Sequence, residues 1–195
     1  MRNAIASILA AAALAGLTGC ESNAVPSASS MLGYQVDTIR DRSVWLTREG
    51  VLIHSTASAR PVAVTLPGWL YVGSPHCPPD VALGPKGEVV VTSNVVSTLW
   101  RIDPETFAVT VHPLALDADT DKDVGFAAVV YSSEQAAFIA YSGVQRSVWR
   151  IDPQLKSAAK LANSDLSRPR QAQRAATGRG TCGNLARRLI DSIGG

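Results

Sequence analysis

Histidine and cysteine are scarce in this chain, three of each among 195 residues. None of the histidines stands at a paired metal-ligand spacing with another histidine or a cysteine. His76 does adjoin Cys77, but two neighbours fall short of the four ligands that zinc usually collects. His54, His76 and His112 therefore read as structural or surface residues. Nucleophile elbows of the Gly-x-Ser-x-Gly type and phosphate-cradling glycine loops are missing, and Gly178-Arg179-Gly180 is not such a loop. Charge is also low, 17% against 46% hydrophobic residues, which excludes a largely disordered chain. The net charge of +2 hides an asymmetry. Residues 168–195 hold six Arg and one Asp, whereas residues 20–167 hold 11 basic and 15 acidic residues, a net of −4. A basic nucleic-acid surface on the folded body is excluded on that ground.

Long apolar runs are lacking too. Ile5 to Leu17, thirteen residues after Arg2, is too short to span a bilayer but has the length of a secretory signal core. It ends in Leu17-Thr18-Gly19-Cys20. This resembles the lipobox of bacterial lipoproteins, where the cysteine is lipidated and becomes the mature first residue. The alternative is an ordinary cleaved signal with an incidental cysteine. The resemblance implies a signal peptide over 1–19, acylation of Cys20 by chains such as palmitate, and a lipid bilayer as partner. Each buried methylene contributes about 0.8 kcal/mol, so several chains hold stably. Glu21 in place of Asp implies the outer membrane, facing the periplasm. Residues 20–33 read as a tether.

What the chain does have is a repeat. Leu99-Trp100-Arg101-Ile102-Asp103-Pro104 returns 49 residues later as Val148-Trp149-Arg150-Ile151-Asp152-Pro153. The register runs upstream without a gap: Val81 falls on Val130, Val90 on Ile139 and Ser93 on Ser142. A fainter copy, Arg42-Ser43-Val44-Trp45-Leu46, matches Arg146-Ser147-Val148-Trp149. Around the motif side chains alternate, Trp100 and Ile102 to one face, Leu99, Arg101 and Asp103 to the other, which is the period of a strand. Asp-Pro then turns the chain, since proline presets the backbone angle and the aspartate bonds back to the backbone. About four short strands fit each unit, the size of a propeller blade. The expected fold is all-β: a partial or open β-propeller of about three four-stranded blades over 34–163. The expected strands start at Val44–Leu46, Val51–His54 and Val62–Leu66, and the third unit repeats the pattern from Phe126 to Leu161. An open β-sandwich is the competing architecture. The irregular 164–195 is either a native basic tail, disordered or with a short helix at Asn184 to Ile193, or the product of a frameshifted GC-rich gene.

The run from Leu99 to Thr106, with Val109-Thr110-Val111-His112-Pro113-Leu114 after it, resembles repeats of the streptogramin-lyase and NHL-like β-propellers. Enzymes of such families use a catalytic histidine with metal-binding acidic residues, and no such set matches here residue by residue. The nearest candidates are Glu88, Asn94, Asp103 and Asp152, of which the two aspartates read better as turn residues. Three units are also too few, because propellers close with four to eight blades.

Asp117, Asp119, Asp121 and Asp123 alternate in one loop, a weak calcium candidate. It lacks the EF-hand glycine and glutamate, since Val124 and Val130 occupy those positions, so a solvated acidic loop is the plainer reading and no cofactor is expected. Export permits a Cys77–Cys182 disulfide, with two free thiols as the alternative. Trp45, Trp100 and Trp149 are expected to pack between sheets rather than stack on carbohydrate. The function that follows is a membrane-anchored, non-enzymatic binding or scaffold module. It would engage a protein partner or a second copy through open blade edges. The alternatives are a fragment of a longer propeller protein without its own activity, or a metal-dependent propeller lyase or lactonase.

Overall fold

The computed structural model describes residues 31–73, 77–117 and 124–161. These residues are all-β and form three sheets. The first takes β1 (Met31–Asp37), β2 (Arg42–Thr47), β3 (Val51–Ser55) and β4 (Val62–Val64) in chain order. The second takes β5 (Val81–Leu83), β6 (Val89–Thr92), β7 (Thr98–Ile102) and β8 (Val109–Pro113). The third has β10 (Ala128–Ser132), β11 (Ala137–Ser142), β12 (Ser147–Ile151) and β13 (Ser157–Lys160), with β9 (Ala115–Leu116) parallel to β13 on its outer edge. All other pairings are antiparallel. The described residues form a partial propeller of three meander blades whose innermost strands, β1, β5 and β10, lie side by side.

Cross-strand rows show where each face goes. In the second blade, Val81-Val91-Trp100-Val111 and Leu83-Val89-Ile102-Val109 form two rows on one face. All of these but Val111, which is exposed, pack against Val44, Leu46, Val51, Ile53 and Val64 of the first blade. On the opposite face, Ala82, Val90 and Leu99 pack against Val129, Phe138, Ala140, Trp149 and Ile151 of the third. The middle blade is thus covered on both sides. This is why β6 reads as the continuous β-branched run Val-Val-Val-Thr, buried throughout, rather than alternating.

The 49-residue period persists in the turns. Gly87 between β5 and β6 has φ +81°, and its counterpart Ala136 between β10 and β11 has φ +45°. Each Asp-Pro turn is closed by its own aspartate. Asp103 Oδ1 accepts the Glu105 and Thr106 N–H groups at 2.9 and 2.8 Å and the Thr106 hydroxyl at 2.9 Å. Asp152 takes the Gln154 and Lys156 N–H groups at 2.9 and 3.0 Å and both the N–H and hydroxyl of Ser157. These bonds favour the charged form. Thr106 foremost holds Asp103 below the usual carboxylate range. At Asp152 partial burial pushes upward, but the donors from Ser157, Lys156 and Gln154 outweigh it and the net direction is down.

Three details differ from the sequence reading. β1 starts at Met31, inside the expected tether 20–33: its Leu32-Tyr34-Val36 alternation is short and directly follows a Ser/Ala-rich run, which hides the strand. Trp45 is not the structural counterpart of Trp100 and Trp149. It sits on β2, the second strand of its blade, whereas they sit on β7 and β12, the third strands. The motifs resemble one another because both strands keep the same two-residue alternation. Finally, β9 was not anticipated. The chain leaving the second blade adds its backbone to the edge of the third, where the Ala115 N–H donates to the Lys156 carbonyl at 2.9 Å, and so covers an edge that would otherwise be open.

Candidate binding surface

Each joint between blades combines an apolar seam with polar clips. Arg42, buried, donates from Nε to Asp37 at 3.0 Å and from Nη1 to the Pro104 carbonyl at 2.6 Å. Arg101 reaches across the next joint to the Pro153 carbonyl. The two acceptors are repeat equivalents, so an arginine of one blade grips the Asp-Pro turn of the following blade at both joints. At the inner end, Asp80 accepts the Val129 N–H at 3.1 Å and ties the second blade to the third. Burial raises this carboxyl to about 6, against the lowering effect of its two backbone donors.

The residues considered for catalysis are spent on structure and do not converge. Glu88 closes its own hairpin by accepting the Lys86 N–H at 2.9 Å. Asn94 holds the segment before β5, donating to the Val72 and Cys77 carbonyls at 2.7 and 2.9 Å. Asp103 and Asp152 cap turns. His54 is exposed on β3, and His112, whose titration is lowered by burial and by Arg101, lies 2.9 Å from the Thr110 hydroxyl on β8. Among the described residues no group of three or more His, Cys, Asp or Glu is placed to hold a metal. Of the acidic loop, Asp117 accepts the Lys160 N–H at 3.1 Å, while Asp119, Asp121 and Asp123 lie outside the described residues. Cys20, His76 and Cys182 lie outside them as well. Cys77 is disulfide-bonded.

Trp100 is 3% exposed, donates to the Pro67 carbonyl at 2.8 Å and meets Trp69 edge-to-face. Trp149 is 0% exposed, edge-on to Phe126 with Lys160 over its ring. Trp45 is only half-buried, because it points away from the second blade. It belongs to the row Tyr34-Trp45-Leu52-Ala63, which crosses all four strands of the first blade. The equivalent rows of the other two blades are buried against the blade before them. Here Tyr34 is 48% and Val36 50% exposed. Trp45 Nε1 is shielded from water and has no acceptor. Sequence reasoning missed this surface because it rests on β1 and on which blade comes first. The alternation of Tyr34 and Val36 was the available signal.

No family model matches the chain, and no curated protein sequence does. Solved structures do. Virginiamycin B lyase from Staphylococcus aureus superposes with a TM-score of 0.53 at 13% identity, covering 70% of this chain and 43% of the lyase. A catalytically inactive variant of that lyase with quinupristin gives 0.52 at 13%, covering 74% and 44%. At this identity the likeness is one of fold. This chain is a propeller module that spans less than half the length of the lyase chains it matches.

Proposed function

We propose that the protein is an exported, lipid-anchored β-propeller module that binds or scaffolds another protein rather than catalysing a reaction. The carrying observation is the exposed row Tyr34-Trp45-Leu52-Ala63. It is a blade face of the kind that elsewhere in the molecule is covered by a neighbouring blade. Apolar surface of this type drives association, and a second copy or a blade-like sheet of a partner supplies the matching shape. Acylated Cys20 would hold the module at the outer membrane, facing the periplasm. Two experiments test this. Radiolabelled palmitate enters the wild type and not Cys20→Ser, and equal labelling of both refutes the anchor. Light scattering on the protein lacking residues 1–20 shows association that Trp45→Asp abolishes; a wild-type monomer refutes self-association and leaves a heterologous partner as the occupant.

A second reading is favoured by the chain's match to only 43–44% of the lyase chains. Under it, the three blades are part of a longer propeller. Further Trp-Arg-Ile-Asp-Pro units in another frame downstream of codon 163 would establish it.

A further inference from the structure

The blades finish their outer edges differently. In the third, β9 lies parallel to β13, with Ala115 opposite Ser157 and Leu116 opposite Ala158. The Ala115 and Asp117 N–H groups donate to the Lys156 and Ala158 carbonyls at 2.9 and 3.2 Å. The second blade ends on β8, and none of the described strands pairs with its outer side. Its backbone alternates as that of β13 does. The Ala108 carbonyl accepts the Asp103 N–H at 2.9 Å, and the Leu114 N–H donates to the Ser97 carbonyl at 2.9 Å, so the even-numbered residues turn inward. Val109 and Val111 turn their N–H and carbonyl groups outward. Phe107 and Val109 stand 49 residues before Lys156 and Ala158, so their carbonyls are the counterparts of the two that β9 uses.

The linker from the first blade does not cover this edge. Ala115 comes four residues after Val111, the outer member of the row through Trp100, and Pro67 comes four after Ala63, the outer member of the row through Leu52. Pro67 therefore stands where Ala115 stands, and it has no N–H to give. Pro67-Gly68 makes a turn instead, closed by the Trp69 N–H on the Leu66 carbonyl at 3.0 Å with Gly68 at φ +71°. The edge of the first blade offers less, since β4 has three residues and follows Pro61. β8 has five, carries no Lys, Arg, Asp or Glu to deter a partner, and leaves Val111 44% exposed.

We propose that the outer edge of β8 receives an extended peptide segment of another protein, parallel to β8, as β9 joins β13. Backbone bonds to Val109, Val111 and the Phe107 carbonyl hold the added strand, and alternation sets its chemistry. Its residues beside Val109 and Val111 lie on their face, as Leu116 lies beside Ala158, so they are apolar and cover Val111. Those between lie with Thr110 and His112 and are polar. This edge is separate from the Tyr34-Trp45 face and needs no occupant there.

The test uses the full chain and an end-blocked peptide copying residues 113–117, Pro-Leu-Ala-Leu-Asp. Amide hydrogen exchange followed by NMR should show Val109 and Val111 exchanging freely alone and slowing severalfold at saturating peptide. Trp45→Asp, which removes the face behind the proposed function, should show the same slowing. Val111→Pro should lose it, read at Val109, because it removes an outward N–H and no ladder bond. If that variant does not fold, the peptide methylated on its alanine nitrogen, the counterpart of the Ala115 N–H, takes its place and should leave exchange unchanged. Unchanged exchange with the unmodified peptide overturns the site. So does slow exchange of both amides before peptide is added, which would put another stretch of this chain on the edge. Slowing that grows with protein concentration alone overturns it too, in favour of a second copy.

Discussion

The two joints of this molecule solve one packing problem with different chemistry. Between the first and second blades the seam is aliphatic around Trp100. Its polar fastening is a charge network in which Arg42 and Arg40 share Asp37, Arg40 meets Glu105 at 2.8 Å, and backbone carbonyls of the second blade accept the rest. Between the second and third blades the seam is aromatic, built on Phe126, Phe138 and Trp149. Its fastening adds backbone pairing, β9 alongside β13, to the side-chain bonds of Asp80 with the Val129 N–H and of Arg101 with the Pro153 carbonyl. The difference follows from connectivity. β9 carries the chain from one blade to the edge of the next, so the second joint is partly a shared sheet. The first joint has only side chains to hold it.

Trp149→Ala should break this comparison most strongly. Removing a fully buried Trp costs about 3–5 kcal/mol, and the loss should open the second joint despite β9. Trp100→Ala should fall near the lower end of that range because its ring is less enclosed. Thermal unfolding of both variants checks the order. Equal melting temperatures to wild type, with either ring freely quenched by iodide, would refute the core role.

Arg42→Met should come next. It strands the buried Asp37 carboxylate, and breaking one side of a buried pair costs about 3 kcal/mol. Asp37→Asn/Arg42→Met should recover part of that loss if the pair, rather than the methylenes of Arg42, carries the effect. Denaturant titration of the double-mutant cycle measures the coupling.

Asp80 sharpens the contrast through pH. Its folded value near 6 exceeds the ordinary 3.8, so the native state binds more protons than the unfolded state between about pH 4 and 6. Its contribution to stability is therefore fully present below that window and is lost as pH rises through it. A two-unit shift corresponds to at most about 3 kcal/mol, and partial exposure reduces it to about 2. Asp80→Asn keeps an oxygen acceptor for the Val129 N–H. It should raise stability at pH 7, leave it little changed at pH 4, and flatten the profile between. An unchanged slope would show that Asp80 is not its source.

The smallest effect is expected at Glu105→Ala. That carboxylate is an exposed partner at the rim of the first joint, and such ion pairs contribute little. Its melting temperature should stay close to wild type and lose what salt dependence the first joint has.

The amino-acid sequence by itself determined the strands of the second and third blades, their turns and their kinship. The alternation of Trp100 and Ile102, the Asp-Pro turns and the 49-residue spacing are local features, and local sterics and hydrogen bonding suffice to specify them. The roles of Asp103 and Asp152 were legible for the same reason, since each aspartate bonds only to residues two to five positions away. Tertiary structure decided the rest, because it depends on which segments become neighbours. Trp45 carries the same local alternation as Trp100 but lies on a second strand, on a face that no described blade covers. Arg42 and Arg101 look like ordinary alternating arginines until the next blade places a proline carbonyl before each guanidinium. Asp80 looks like a loop residue until β10 presents the Val129 N–H to it, 49 residues away. Burial and charge pairing between distant segments are properties of the folded arrangement, and no window along the chain contains both partners.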